Sequence, residues 1–184
     1  TVEQCVFRNN HRYGLYLRAS GHAAVTNITF VDNGSYDLWG LRPRWLEEVS
    51  GNTFERTDGT RRFNAIGLEA DTLHADLRWQ AAGVPYVLTG NVTVAPARTV
   101  TVEAGTVLKL DPHVYLHADR STLDFLGSAA APIVVTSLKD DTHMGDTNGD
   151  AEATIPSPGD WYYIHYNYGS HGEGHHVKIL YRGH

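Results

Sequence analysis

The sequence predicts an all-β solenoid, and three observations predict it. A phenylalanine followed by an Asn/Asp turn recurs in Cys5-Val6-Phe7-Arg8-Asn9-Asn10, Ile28-Thr29-Phe30-Val31-Asp32-Asn33 and Asn52-Thr53-Phe54-Glu55-Arg56-Thr57-Asp58, with the phenylalanines 23 and 24 residues apart. A period in the 20s marks repeats that cannot bury an apolar face without a neighbouring copy. Each early copy carries a second short apolar segment at a fixed offset: Leu15 lies eight residues after Phe7, and Leu38 eight after Phe30. Beyond residue 84 the chain is a series of short β-branched runs bounded by Gly, Pro, Asp or Ser, with almost no helical periodicity through residue 137.

Taken in order, residues 1–70 form coils of the Phe/Asn type. Asn and Asp tolerate left-handed backbone and bond their own main chain, so Asn10, Asn33 and Asp58 are expected to stack as a ladder along one edge. In the third copy the excursion Asp58-Gly59-Thr60-Arg61-Arg62 separates Phe54 from Ile66-Gly67-Leu68 and reads as an outward loop. Residues 71–84, rich in Ala, Leu, Arg and Trp79, break the rhythm and read as an irregular or short helical link. Residues 85–184 resume the β pattern and carry an acidic loop at 138–160. Cys5 shares the phase of Ile28 and is expected to be buried.

The second half resembles a known family. The string Tyr86-Val87-Leu88-Thr89-Gly90, Val100-Thr101-Val102-Glu103-Ala104-Gly105-Thr106-Val107-Leu108-Lys109-Leu110, Leu123, Gly127-Ser128-Ala129-Ala130-Ala131-Pro132-Ile133, Thr136-Ser137 and Gly159-Asp160-Trp161-Tyr162-Tyr163-Ile164 is similar to that of right-handed parallel β-helix repeat proteins of the pectate-lyase-like superfamily, of bacterial secreted or surface type. Val177-Lys178-Ile179 looks like one further strand. The resemblance implies a right-handed parallel β-helix of seven or eight coils with outward loops, in an extracellular or cell-surface setting. It does not imply one activity, because a fold hosts many.

Composition narrows the function. The net charge is −6 with no Lys/Arg cluster, against the basic footprint that nucleic acid requires. No apolar run approaches the ~18 residues of a membrane-spanning helix. The strongest chemical motif is Asp140-Asp141-Thr142-His143-Met144-Gly145-Asp146-Thr147-Asn148-Gly149-Asp150-Ala151-Glu152. Oxygen ligands at alternate positions, Asp146, Asn148 and Asp150, suit a hard cation such as Ca2+, with Asp140, Asp141 and Glu152 available to add charge. The pattern departs from a helix-loop-helix calcium loop, with Ala151 where glycine is wanted and Ser157 where a bidentate Glu is wanted.

Tyr162, Tyr163, Tyr166 and Tyr168 cluster near Trp161 and are candidates for stacking on glycan rings. Five histidines in the last twenty residues (His165, His171, His175, His176 and His184) offer imidazoles for zinc or copper. No residues are assigned as catalytic: Gly-x-Ser-x-Gly is absent, and Gly172-Glu173-Gly174-His175-His176 lacks the order found in polygalacturonase-like members of the fold. Terminal segments without polar capping coils predict self-association of strand edges. The leading expectation is a non-catalytic structural or adhesive module, stacking end to end into a fibre, with a calcium-stabilised loop. The alternative is a carbohydrate-binding or polysaccharide-cleaving protein, a lyase or a glycoside hydrolase.

Overall fold

A computed structural model describes residues 1–17, 24–59 and 61–183. Each turn of the chain lays down three short strands. Rung 1 holds β1 (Val2–Glu3), β2 (Val6–Arg8) and β3 (Leu15–Tyr16), and rung 2 holds β4 (Val25–Thr26), β5 (Thr29–Val31) and β6 (Leu38–Leu41). Rung 3 follows a 3-10 helix, Pro43–Glu48, and holds β7 (Val49–Ser50), β8 (Thr53–Glu55) and β9 (Ile66–Leu68). Rung 4 holds β10 (Asp71–Leu73), β11 (Leu77–Trp79) and β12 (Tyr86–Leu88). Rung 5 holds β13 (Val92–Val94), β14 (Thr99–Glu103) and β15 (Val107–Leu110). Rung 6 holds β16 (Leu116–Ala118), β17 (Thr122–Leu126) and β18 (Ile133–Ser137), and rung 7 holds β19 (Ile164–Tyr166), β20 (Gly174–His175) and β21 (Val177–Ile179).

Every pairing between these strands is parallel and joins one rung to the next, so the protein is a parallel β-helix. The repeat read from sequence is the physical repeat. Phe7, Phe30 and Phe54 occupy one register position across β2, β5 and β8. Their rings stack with centroids 5.7 and 5.2 Å apart, at 18° and 7°. Offset stacking of this kind adds to the burial of the rings themselves. One left-handed residue turns the first corner in each early rung: Gln4 (φ 54°), Asn27 (φ 54°) and Gly51 (φ 67°). In rungs 4–6 the bore is mainly aliphatic, filled by Leu73, Val92, Val94, Val100, Val102, Leu108, Leu110, Leu116 and Leu123, with Trp79 and Phe125 among them.

Among the described residues, only the third-position strands run unbroken through all rungs, as one seven-stranded sheet from β3 to β21. The first-position strands form two separate sheets, β1–β4–β7 and β10–β13–β16–β19. The second-position strands likewise divide into β2–β5–β8 and β11–β14–β17–β20. The breaks coincide between rungs 3 and 4. At this seam the 3-10 helix packs against β10 and β11, and a cleft of about 490 Å³ opens between Val49–Phe54 above and Arg78–Ala82 below.

Three local expectations are corrected. Residues 71–84 are not a helical or irregular link: Asp71–Leu73 and Leu77–Trp79 are strands of a full rung. Their buried-exposed-buried alternation places Leu73, Leu77 and Trp79 in the bore, and this outweighs the helix propensity of Ala, Leu, Arg and Gln. The Asn ladder holds for a single step. Asn10 donates to Asn33 Oδ1 at 2.7 Å, but at the third level Arg56 takes over and donates to Asp37 at 3.2 Å, while Asp58 lies in the turn beyond. Cys5 is exposed although Ile28, one rung along, is fully buried.

A second apolar cluster lies outside the bore, on the outer face of the continuous sheet. Tyr36, Ala65 and Val87 are buried there with Tyr13, Trp39, Phe63 and Leu138 packed around them. Trp39 lies across Gly67, where a Cβ would run into its ring. Residues 138–160 leave rung 6 after Ser137, cover this outer face and return at Trp161. Trp161 is fully buried, and its Nε1 donates to Leu180 O at 2.8 Å.

Candidate metal centre

The excursion is pinned at its base. Ser137 Oγ and Lys139 Nζ both donate to Asp160, at 2.7 Å each, so departing and returning strands are tied together. Within it, Asp146 folds the chain around its own carboxylate. Oδ1 accepts from Gly149 N (2.6 Å) and Asp150 N (3.0 Å), and Oδ2 accepts from Ala151 N (3.0 Å). Gly149 (φ 74°), Ala151 (φ 53°) and Glu152 (φ 69°) supply the left-handed backbone that so tight a loop demands. Ala151 therefore adopts the conformation for which a calcium loop usually requires glycine.

Carboxylate oxygens of Asp141, Asp146 and Asp150 lie within 4.8 Å of one another. Asp141 stands in front of the Asp146-x-Asn148-x-Asp150 segment and brings a carboxylate from outside it, the kind of contribution that Ser157 cannot make. Asp141 Oδ1, Asn148 Oδ1 and Asp150 Oδ1 are buried atoms without a hydrogen-bond partner. Burial raises the Asp141 pKa above the ordinary range; Asp146, Asp150 and Glu152 push it further and Lys109 opposes them. A cation among these half-buried carboxylates would offset the penalty on the charged form of Asp141.

Not every predicted ligand joins this group. Asp140 is fully buried and already committed: its carboxylate accepts from Thr136 Oγ1 (2.6 Å), from Thr142 N (3.0 Å) and Oγ1 (2.5 Å), and meets His143 Nδ1 at 2.8 Å. Burial raises its pKa, yet these bonds prevail and hold it below the usual value. Glu152 is exposed and outside the trio. Asn148 turns its amide nitrogen to Asp150 Oδ2 (2.8 Å) and Thr154 Oγ1 (3.1 Å), leaving its oxygen unpartnered.

Three residues that build the site were missed in sequence. Lys109 is fully buried on the outer face of β15, and its Nζ donates to Gly145 O (2.7 Å) and Thr147 Oγ1 (2.6 Å). Burial lowers its pKa to about 8, against the pull of Asp141, Asp140 and Asp146. Phe63 N donates to Asp146 O at 3.0 Å, and the Arg62 guanidinium donates to Gly149 O, its Nε at 2.9 Å. The available signal was Tyr86-Val87-Leu88: three consecutive apolar residues in a strand mean that both faces are covered. Lys109 is two positions along the same outer ladder from Gly67 and one from Val87.

The tyrosines divide. Tyr162 and Tyr163 are exposed and stacked on each other at 5.9 Å, and Tyr163 stacks on Tyr115 at 5.4 Å and 16°. His113 touches Tyr162, and His117 stacks on His165 at 5.1 Å, so a strip of rings crosses rungs 6 and 7. Tyr166 follows Ala118 in register on the bore side; its hydroxyl donates to Leu123 O at 2.8 Å, and burial raises its pKa to about 12. Tyr168 is fully exposed, apart from the strip. Among the described C-terminal histidines, His175 on the exposed strand β20 approaches Glu173 at 3.4 Å, and no further group of three metal-binding side chains forms among the described residues; His184 lies outside the described residues. No helix among the described residues is long and apolar enough to cross a membrane.

Comparison with protein-family models, with curated proteins and with solved structures gave no match.

Proposed function

We propose that this chain is a non-catalytic structural module of an extracellular or surface protein, with a Ca2+ ion fastening its acidic excursion. In this reading it sits with the right-handed parallel β-helix proteins of the pectate-lyase-like superfamily. The observation that carries the cation is the convergence of Asp141, Asp146 and Asp150 around buried oxygens that have no donor. The donor set is all oxygen, and one amide with three carboxylates suits calcium better than a transition metal. Asp141, Asp146, Asn148 and Asp150 would hold the ion, which supplies charge compensation and no chemistry. A site made of a few loop carboxylates fits the weak end of calcium affinities, where extracellular modules lie.

The test is calorimetric titration of chelator-treated protein with calcium, joined to melting curves with and without the ion. A ligand that binds only the folded chain raises its stability with saturation. Heat of binding and a higher melting temperature support the reading; an unchanged melt at millimolar calcium removes it. End-to-end pairing of strand edges belongs to the same proposal, and molecular mass across a hundredfold concentration range tests it.

A second reading, carbohydrate binding, is favoured by one observation: the stacked, near-parallel Tyr115, Tyr163 and Tyr162 rings on the outside of rungs 6 and 7. A glycan array with a polysaccharide-cleavage screen tests it.

A further inference from the structure

The seam between rungs 3 and 4 leaves the two stacks joined, within the β-structure, by the third-position sheet alone. Beside the bonds of the 3-10 helix to Asp71 and Arg78, a further connection runs outside that sheet. The excursion starts at rung 6, receives Lys109 from rung 5, packs Leu138 into the outer cluster beside Val87 of rung 4, and meets the 56–65 loop of rung 3. Its contact with that loop joins residues 87 positions apart: Arg62 to Gly149 O, with Phe63 N to Asp146 O. The Phe63 ring lies against Gly149, where a Cβ would collide with it, and the Arg62 guanidinium sits over the same ring at 5.3 Å.

The loop is in turn tied to rung 2. Arg56 Nε donates to Arg62 O at 2.7 Å, while its other nitrogens reach Asp37 (3.2 Å) and Ser35 O (3.3 Å). Phe63 meets Tyr36 edge-on at 5.9 Å, and Tyr36 and Tyr13 sandwich Trp39 at 4.7 and 5.4 Å. A continuous set of contacts therefore leads from Asp146 to rung 1, past the seam.

We propose that the acidic excursion is a latch: its grip on Arg62 and Phe63 holds rungs 1–3 in fixed relation to rungs 4–7, and its release lets the early stack open as a separate unit about the seam. The cation reading of the preceding section adds regulation, because Asp146 and Asp150 flank the carbonyl that Arg62 holds. An ion ordering that loop tightens the latch. This second part rests on that reading; the first does not.

Hydrogen exchange of the whole chain, followed strand by strand, tests both. In chelator, the double variant Arg62→Ala/Phe63→Ala is expected to lose at least tenfold protection in β4, β5, β7 and β8, with less than twofold change in β14, β15 and β17. Equal loss in both groups, or no loss, overturns the latch. Should the double variant fail to fold, Arg62→Gln keeps the Phe63 ring and is expected to show the same asymmetry at about threefold; a uniform change in it overturns the latch equally. Calcium added to the unaltered chain is expected to raise protection in β7 and β8, and not to do so in Arg62→Gln. Calorimetric heat without that rise overturns the regulation while leaving the ion site standing. Absence of heat ends the ion site and its regulation together, and the chelator experiment still decides the latch.

Discussion

Rungs 1–3 and rungs 4–6 solve one problem, how to close a three-sided turn, with the tight corner in different places. In the early rungs two residues separate the first strand from the second, and one left-handed residue makes the bend. In rungs 4–6 that corner takes three or four residues. The economy moves elsewhere: only Glu69 and Ala70 lead from β9 into β10, where Arg42 to Glu48 were needed between β6 and β7. Shifting the short side of a triangle displaces two walls and leaves the third in place, which accounts for ladders that stop together while one sheet continues. A solenoid can thus change its cross-section within one turn. The cost appears as the cleft, and as edges that the 3-10 helix must cover: Arg44 N and its guanidinium bind Asp71, and Glu47 Oε1 accepts from Arg78 N at 2.5 Å.

The bores differ as well. Three stacked phenylalanines fix the early register with few residues, whereas the late bore relies on many aliphatic side chains. The largest expected effect follows. Phe30→Ala removes the middle ring of the stack, which is fully buried between two others, and should cost about 3–5 kcal/mol in urea unfolding. If rungs 5 and 6 lose as much hydrogen-exchange protection as rungs 1–3, the two stacks are one cooperative unit and the comparison fails.

Next comes the excursion. At a hundredfold excess over its Kd, calcium should stabilise by about 2.7 kcal/mol, a melting shift of about 5–10 °C for a chain of this size. Asp141→Asn should abolish the shift and yet raise stability in chelator, because it removes the one carboxylate whose charged form burial and the neighbouring Asp146 and Asp150 disfavour. A variant that melts lower in chelator and still responds to calcium would place Asp141 outside the site.

How much of this was legible in the chain? The Phe7/Phe30/Phe54 ladder was, because stacking on one axis demands a side chain of constant shape at constant spacing. That Asp146 and Asp150 come together was legible because residues at alternate positions of one tight loop are neighbours in space. The rung at 71–84 was not: Leu73, Leu77 and Trp79 point inward at a corner of changed length, so the early period gave no frame for them. Asp140 was misjudged because adjacent carboxylates look alike until Thr136, Thr142 and His143 are seen to claim one of them. Lys109, Arg62 and Phe63 were invisible for a different reason. Their contact with the excursion is a matter of which loops overhang the same wall, and no spacing records that.

Asp37 in the early stack and Lys109 in the late one are both fully buried, and they respond to pH in opposite windows. In the early stack, burial raises Asp37 to about 6, although Asn33 and Arg56 pull the other way. The unfolded chain therefore ionises first as pH rises from about 4 to about 6, and stability falls by about 2–3 kcal/mol across that interval. In the late stack Lys109 is depressed to about 8, so its contribution rises with pH from about 8 towards the ordinary lysine range. Asp37→Asn should flatten the acid-side slope alone, whatever its offset at neutral pH, when urea midpoints are compared at pH 4, 5, 6 and 7. An unchanged slope would mean that Asp37 is ionised throughout and fully compensated by Arg56.

The smallest expected effect separates the two functional readings. Tyr163 stacks between Tyr115 and Tyr162 on the outside of the late stack and is 39% exposed. Truncation there removes ring contacts worth about 0.5–1.5 kcal/mol and leaves the bore intact. On the early stack Tyr13, Trp39 and Tyr36 stack as well, but there the rings are drawn into the cluster under Phe63, with Tyr16 exposed beside Tyr13. If the strip serves only packing, Tyr163→Ala lowers the urea midpoint slightly and changes no binding on a glycan array. If it is a glycan platform, the same variant keeps nearly full stability and loses at least tenfold in affinity, because Tyr163 is the ring that holds Tyr115 and Tyr162 together as one aromatic surface. The late stack would then carry both the cation and the ligand, and the early stack would serve as the part that the latch holds in place.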